Sequence, residues 1–276
     1  MVESALRSSD STTGRACVYC GRGSHLTNEH VFPDCFVRTY DSVTTAKTPK
    51  GEKAIRSALE IHDVCAICNN GALSQLDTHF CKLNESCFTK IIHPGDCVRF
   101  ECDPELLLRI LLKIGFNVAR VRKWPLGIWE DAAPYILGQT HRPVGFRVFL
   151  QLMIPTPVEE TTLPFSPGTT EIPPLPSRVY LADTGKHAGL ISGYSVSVWS
   201  YRFFVLRENS KVPQGIRSRA IAEWFKDTKG ACEITTRGIA KIYASSVRVL
   251  DDAATSPIFG EQLSLVRKLK FETEAK

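Results

Sequence analysis

No apolar stretch of this sequence approaches the length of a membrane span. The longest, Leu106 to Leu112, is interrupted by Arg109. The N-terminal segment MVESALRSSDSTTGR lacks the apolar core of a secretory signal, which predicts a cytoplasmic protein. No internal repeat is present, which sets aside a repeat array. Charge of one sign is not abundant either: 34 Lys/Arg against 29 Asp/Glu leave a net +5. The excess is uneven. Residues 1–94 hold ten of each sign, and residues 95–276 hold 24 basic against 19 acidic side chains. Such a tilt is compatible with a polyanionic partner without requiring one.

What is present is the composition of a soluble globular protein, 43% hydrophobic and 23% charged over 276 residues. That length accommodates one large domain or two ordinary ones. Residues 1–14 are polar and Ser/Thr-rich and read as a disordered tail. A segment rich in Cys and His follows, over 15–95. Residues 96–276 then read as an α+β region of mostly antiparallel sheet. Within it, DPELLLRILLKIGFNVARVRK (103–123) predicts the longest helix, with Asp103 as N-cap and Pro104 in the first turn. Arg109, Lys113 and Arg120 fall within about 40° of one another around it, a stripe expected to be solvated. FRVFLQLMI (146–154), RVYLADT, GYSVSVWSYRFFVLR and KIYASSVRVL read as strands, and RSRAIAEWFKDT (217–228) as a helix. Residues 155–177 hold seven of the sixteen prolines and read as an irregular loop.

Ten cysteines without an export signal point to metal ligation or plain thiols rather than disulfides. Cys17, Cys20, Cys65 and Cys68 form two CxxC pairs separated by 44 residues. Each pair offers two thiolates from one tight turn, and two pairs complete the tetrahedron that structural Zn2+ requires. The other six cysteines, Cys35, Cys81, Cys87, Cys97, Cys102 and Cys232, show no such spacing and are expected mostly as small buried hydrophobes. Between the pairs lie LTNEHVFP (26–33) and TTAKTPKGEKAIR (44–56), the latter read as an exposed basic loop. NNGALSQLDTHF (69–80) follows the second pair and reads as a helix.

CVYCG, LTNEHVFP and VCAICNNGALSQLD, in that order, resemble the HNH endonuclease family in its zinc-stabilised ββα-metal (treble-clef) form. The resemblance covers roughly residues 15–85. It implies an N-terminal ββα-metal zinc domain and a metal-dependent endonuclease that hydrolyses DNA phosphodiester bonds. By resemblance His30 is the general base. Glu29 and Asn69 hold a catalytic Mg2+ or Mn2+, while the zinc stays structural. The chemistry is consistent with that assignment: imidazole titrates near neutrality, and magnesium favours hard oxygen ligands. The family commonly carries an asparagine nine residues before Asn69, where it orients the histidine. This chain has Glu60 there, with His62 two residues on. Asp77 is expected on a solvated helix face and His79 in a structural role.

Lys47, Lys50, Lys53 and Arg56 are the candidate contacts to the DNA backbone. RNA, a homodimer or a protein partner through the C-terminal region stay open, and no membrane association is expected. The alternative reading is a zinc-braced nucleic-acid-binding or protein-interaction module without catalysis.

Overall fold

The computed structural model describes residues 15–23, 25–33, 35, 44–48, 51–55, 60–129, 131–157, 171–172, 174, 178–181, 187–226, 230–235 and 237–244, with the backbone alone at 44–48, 51–55, 172, 178, 180 and 239. The tail 1–14, Lys50, Arg56 and most of the proline-rich segment lie outside the described residues. No helix among the described residues is long and apolar enough to cross a membrane.

The chain begins with a tight turn at Cys17–Cys20 and enters β1 (Leu26–His30). Strands β2 (Thr44–Thr48) and β3 (Gly51–Ile55) pair with each other as an antiparallel hairpin. This corrects the reading of 44–56 as a loop: its Lys, Gly and Thr residues mask the strands because hydrophobic alternation is missing. Strand β4 (Glu60–Cys65) returns antiparallel to β1.

From Cys65 the chain turns directly into a helical run. It comprises one turn at Ala66–Cys68, a π-helical stretch Asn69–Leu73 kinked at Gly71, α1 (Ser74–Leu83) and a second π-helical stretch Asn84–Phe88. Leu73, Leu76 and Phe80 are buried, as their spacing predicts.

Strand β5 (Cys97–Glu101) leads into α2 (Pro104–Arg122). Here the sequence is literal. The Asp103 carboxylate accepts from the backbone N–H groups of Glu105 and Leu106 at 2.9 and 3.0 Å. Lys123 ends the helix in a left-handed conformation. The short helix α3 (Ala132–Ile136) follows. The strands are then β6 (Phe146–Leu152), β7 (Thr156–Pro157), β8 (Glu171–Ile172), β9 (Arg178–Leu181), β10 (Ile191–Val198) and β11 (Tyr201–Glu208). After α4 (Gln214–Trp224) come β12 (Cys232–Glu233) and β13 (Ile239–Tyr243). Five strands form one antiparallel sheet in the order β12-β6-β11-β10-β9, and β13 pairs with β5. The fold class is α+β with antiparallel sheets.

Helix α2 covers one face of the five-stranded sheet, where the Tyr194 hydroxyl donates to the Leu111 carbonyl at 3.0 Å. Against the opposite face, Ile221 of α4, with Trp224 and Phe225, packs on Phe149, Ile191, Phe204 and Leu206. The main core runs without interruption from Cys17 through Val31, Val64 and α2 to Ile242. Phe88, at the end of the helical run, meets Phe100, Tyr201 and Phe203 with ring centroids 5.1–6.2 Å apart. The cysteine-rich unit and the large sheet therefore share one interior.

Gly115 marks the closest approach of α2 to the sheet, since a Cβ there would lie 2.5 Å from the Tyr194 ring. Tyr194 is fully buried and hydrogen-bonded, so it cannot retreat. Gly115→Ala is expected to cost about 1–3 kcal/mol by overpacking, even though alanine is the better helix former by about 1 kcal/mol. Denaturant unfolding checks this through a shift of midpoint at unchanged slope.

The remaining cysteines are not uniformly buried. Cys35 and Cys81 form a disulfide that ties the segment after β1 to α1. Cys97 is exposed, and Cys87, Cys102 and Cys232 are half-buried. This corrects the expectation of small buried hydrophobes. Cys35 and Cys81 are 46 residues apart, and such a separation carries no trace of their proximity in space.

Candidate functional site

The first cysteine pair sits in a turn closed by hydrogen bonds from Gly21 N–H to Cys17 O at 2.8 Å and from Cys17 N–H to Arg22 O at 2.9 Å. Gly21 has φ +71°, a conformation that favours glycine. Val18 N–H donates to Asp63 O at 3.1 Å, fastening this turn to β4. Cys65 closes β4, and Cys68 lies in the first helical turn beyond it. The four Sγ atoms lie within 4.8 Å of one another. Cys20 and Cys65 are 3.7 Å apart, close to the edge of roughly 3.8 Å expected for four sulfurs bonded to zinc at about 2.3 Å.

The cluster can therefore hold a metal ion, and its all-sulfur donor set suits structural zinc. Cys17, Cys65 and Cys68 are buried and Cys20 half-buried. Burial pushes the Cys65 thiol up, but the Cys68 backbone N–H and the neighbouring thiols outweigh it and bring Cys65 down to about 6. Burial, and hydrogen bonds to Cys20 and Cys65, raise Cys68. Crowded sulfurs that stabilise one thiolate at the expense of others are the electrostatic situation a cation relieves.

Glu29 and His30 are adjacent on β1, so strand alternation sends them to opposite sides. Glu29 turns inward and is 1% exposed. Its Oε1 lies 2.7 Å from Nζ of Lys113, which is itself fully buried. Asn117 Nδ2 donates to Glu29 Oε1 at 3.4 Å and to the His30 carbonyl at 3.2 Å. Burial raises the Glu29 carboxyl above its ordinary range, with Lys113 and Asn117 pulling the other way. Lys113 also pairs with Asp77 of α1. Tyr19 OH and Arg120 Nη2 both donate to Asn117 Oδ1, at 2.7 and 2.6 Å, and Arg120 Nη1 grips both Asp63 oxygens at 2.6 and 2.5 Å. Arg109 donates to the Ile136 carbonyl. The α2 stripe expected in solvent is thus an internal clamp, because its charges have partners on the knuckle, β1, β4 and α1. Asp77, expected on a solvated face, belongs to the same clamp.

The opposite side of β1 and β4 is open. The register skips between Thr27 and Asn28, leaving Asp63 as the extra residue, and then pairs Asn28 with His62 and His30 with Glu60. His62 Nδ1–H donates to Asn28 Oδ1 at 2.8 Å, and Asn28 Nδ2 donates to Glu60 Oε2 at 2.7 Å. Glu60 Oε1 lies 3.6 Å from His30 Nδ1, and the His30 side chain is 29% exposed. Asn69 follows the turn Ala66–Cys68 as its C-cap, and its side chain caps no helix N-terminus. Its amide reaches back to β1, donating to Thr27 Oγ1 at 2.9 Å and Asn28 O at 2.7 Å.

The structure therefore brings His30 and Glu60 to one side of β1 and β4, places Glu29 on the other, and turns the Asn69 amide to Thr27 and the Asn28 carbonyl. Lys47 and Lys53 lie on β2 and β3, where the register pairs Lys47 with Glu52 and Lys53 with Ala46, so the two positions fall on opposite faces of that hairpin. Sequence reasoning missed Tyr19, Asp63 and Asn117, and it read Lys113 and Arg120 as part of a solvated stripe. The available signal was three polar residues at spacings of four and three on a helix that is apolar on nearly every other side. Such a helix has little solvated face, so its polar groups must find partners inside. No family model, curated protein or solved structure matches this chain.

Proposed function

We propose that this chain is a zinc-braced module that binds nucleic acid without hydrolysing it. The observation that carries this reading is the convergence of four cysteine sulfurs within 4.8 Å, coupled to the inward burial of Glu29. The thiolate cluster holds turn, paired strands and helix together, an order that supports the ββα-metal reading. Burial and pairing with Lys113 leave Glu29 no open coordination position for a catalytic ion. The net charge of +5 and the lysines of the β2–β3 hairpin favour a phosphate backbone as partner, contacted without sequence choice.

Binding measured from 50 to 200 mM salt against duplex and single-stranded DNA and RNA tests the proposal. Affinity should fall steeply with salt, and Lys47→Ala and Lys53→Ala should each reduce the logarithmic slope by about 1. Absence of affinity at low salt for any of these ligands would leave the protein-interaction reading.

A second reading, the metal-dependent hydrolase that the HNH resemblance implies, is favoured by His30. Its ring stands on the open side with the Glu60 carboxylate facing Nδ1, an arrangement that orients an imidazole for proton transfer. Plasmid incubated with Mg2+ or Mn2+, with EDTA as control, separates the two readings. The binding module leaves it intact. Cleavage that disappears in His30→Ala, with zinc content and DNA affinity unchanged, would establish the hydrolase instead.

A further inference from the structure

We infer that a cleft at the end of β10 and β11 binds the phosphate group of a small phosphorylated molecule. The cleft encloses about 380 Å3, and its walls include Gly127, Gly189, Ser192, Arg207, Ser210 and Lys211. That volume falls in the range of small-ligand pockets.

Strand register decides which charges face it. Ser192 pairs with Arg207 across the two strands. Both point to the side covered by α2, because Tyr194, two residues beyond Ser192, bonds the Leu111 carbonyl there. Past the end of α2, the turn Leu126–Ile128 is held over the strand ends by Arg207. Its Nη1 donates to the Gly127 and Ile128 carbonyls at 2.8 and 3.0 Å. Glu208 also borders the cleft, but alternation sends its carboxylate to the opposite side of the sheet. There Arg147 and Arg217 hold it at 3.4 and 2.7 Å. The cleft is left with the positive charges of Arg207 and Lys211.

Its donors are available. Of the five N–H groups of the Arg207 guanidinium, two meet the carbonyls and one meets Asp131 at 3.4 Å. Asp131 is 76% exposed, so this pair is weak and a bound anion displaces it. Among the described residues, no carboxylate pairs with the Lys211 ammonium, and the Ser192 and Ser210 hydroxyls have no hydrogen-bond partner. Asn209 fixes the rim: its Nδ2 donates to Gly189 O at 2.8 Å and its Oδ1 accepts the Lys211 N–H at 3.1 Å. A phosphate monoester carries nearly two negative charges at neutral pH and three acceptor oxygens. Two cations and two hydroxyls match it in charge and in number of donors, and guanidinium fits its oxygens in pairs. This site is independent of the cysteine cluster and of the nucleic-acid reading.

Calorimetry of the full-length chain with inorganic phosphate, adenosine 5′-monophosphate and adenosine tests it, with amide NMR shifts locating the probe. Both phosphate probes should bind and shift Gly127, Gly189 and Ser192, and adenosine should not. Lys211→Ala, at an exposed side chain, should weaken the monophosphate about tenfold. Ser192→Asp sets a carboxylate opposite Arg207 and should abolish binding at an unchanged thermal midpoint. Asp131→Asn should tighten binding about two- to fivefold by freeing Arg207. Glu85→Gln, the same charge change elsewhere, should leave it unaltered. No heat from either phosphate probe, shifts confined to other parts of the chain, or binding indifferent to both Lys211→Ala and Asp131→Asn would overturn the inference.

Discussion

Chelation of the metal, or replacement of Cys68 by Ser, is expected to remove one equivalent of zinc and unfold the turn, β1 and β4 while leaving the five-stranded sheet folded. The asymmetry follows from where the apolar core lies. The sheet carries its own packing on both faces, with α2 on one and α4 on the other. The knuckle is a short turn whose sulfurs crowd a space suited to a cation. Structural zinc contributes roughly 10–16 kcal/mol in isolated small zinc units, as much as the whole stability of a typical domain. Acid should have the same effect as chelation, because protons compete with the metal for sulfur, so zinc affinity falls as pH falls. Hydrogen exchange resolves the outcome: amides of β1 and β4 should lose protection, and those of β6, β10 and β11 should keep it. Loss of protection everywhere at once would mean that the cluster holds the entire fold.

Lys113→Met is expected to be the most damaging substitution outside the cysteines, costing about 3–5 kcal/mol, because it strands the buried Glu29 carboxylate. The informative variant is the double replacement Glu29→Gln with Lys113→Met. Removing both charges should recover most of the loss, since two buried charges contribute little beyond solving each other's desolvation. Asp77 keeps partial access to solvent and tolerates the change better than Glu29. Urea unfolding of the two single variants and the double variant closes the cycle. Additive losses in the double variant would show that the two side chains do not act as a pair.

The cluster and the frame were legible in the sequence for physical reasons. Paired cysteines in CxxC turns have few uses other than a common metal, and the structure brings all four together. The α2 cap is a local event, so Asp103 and Pro104 announce it directly. The strands β6, β10 and β11 carry enough β-branched and aromatic residues to declare themselves. What stayed hidden depends on partners far away in the chain. The Cys35–Cys81 disulfide and the Lys113–Glu29 pair each join segments that sequence spacing does not relate. The separation of Glu29 from His30 was in principle readable, because neighbours on a strand face opposite ways. The ordered motif drew attention to their adjacency rather than to that alternation.

Zinc X-ray absorption on the purified protein bears most directly on the metal-braced account. A scattering shell of sulfur at about 2.3 Å, four atoms per zinc, is the predicted result. Zinc-free protein in which β1 and β4 keep their amide protection, or a shell dominated by nitrogen and oxygen, would contradict it.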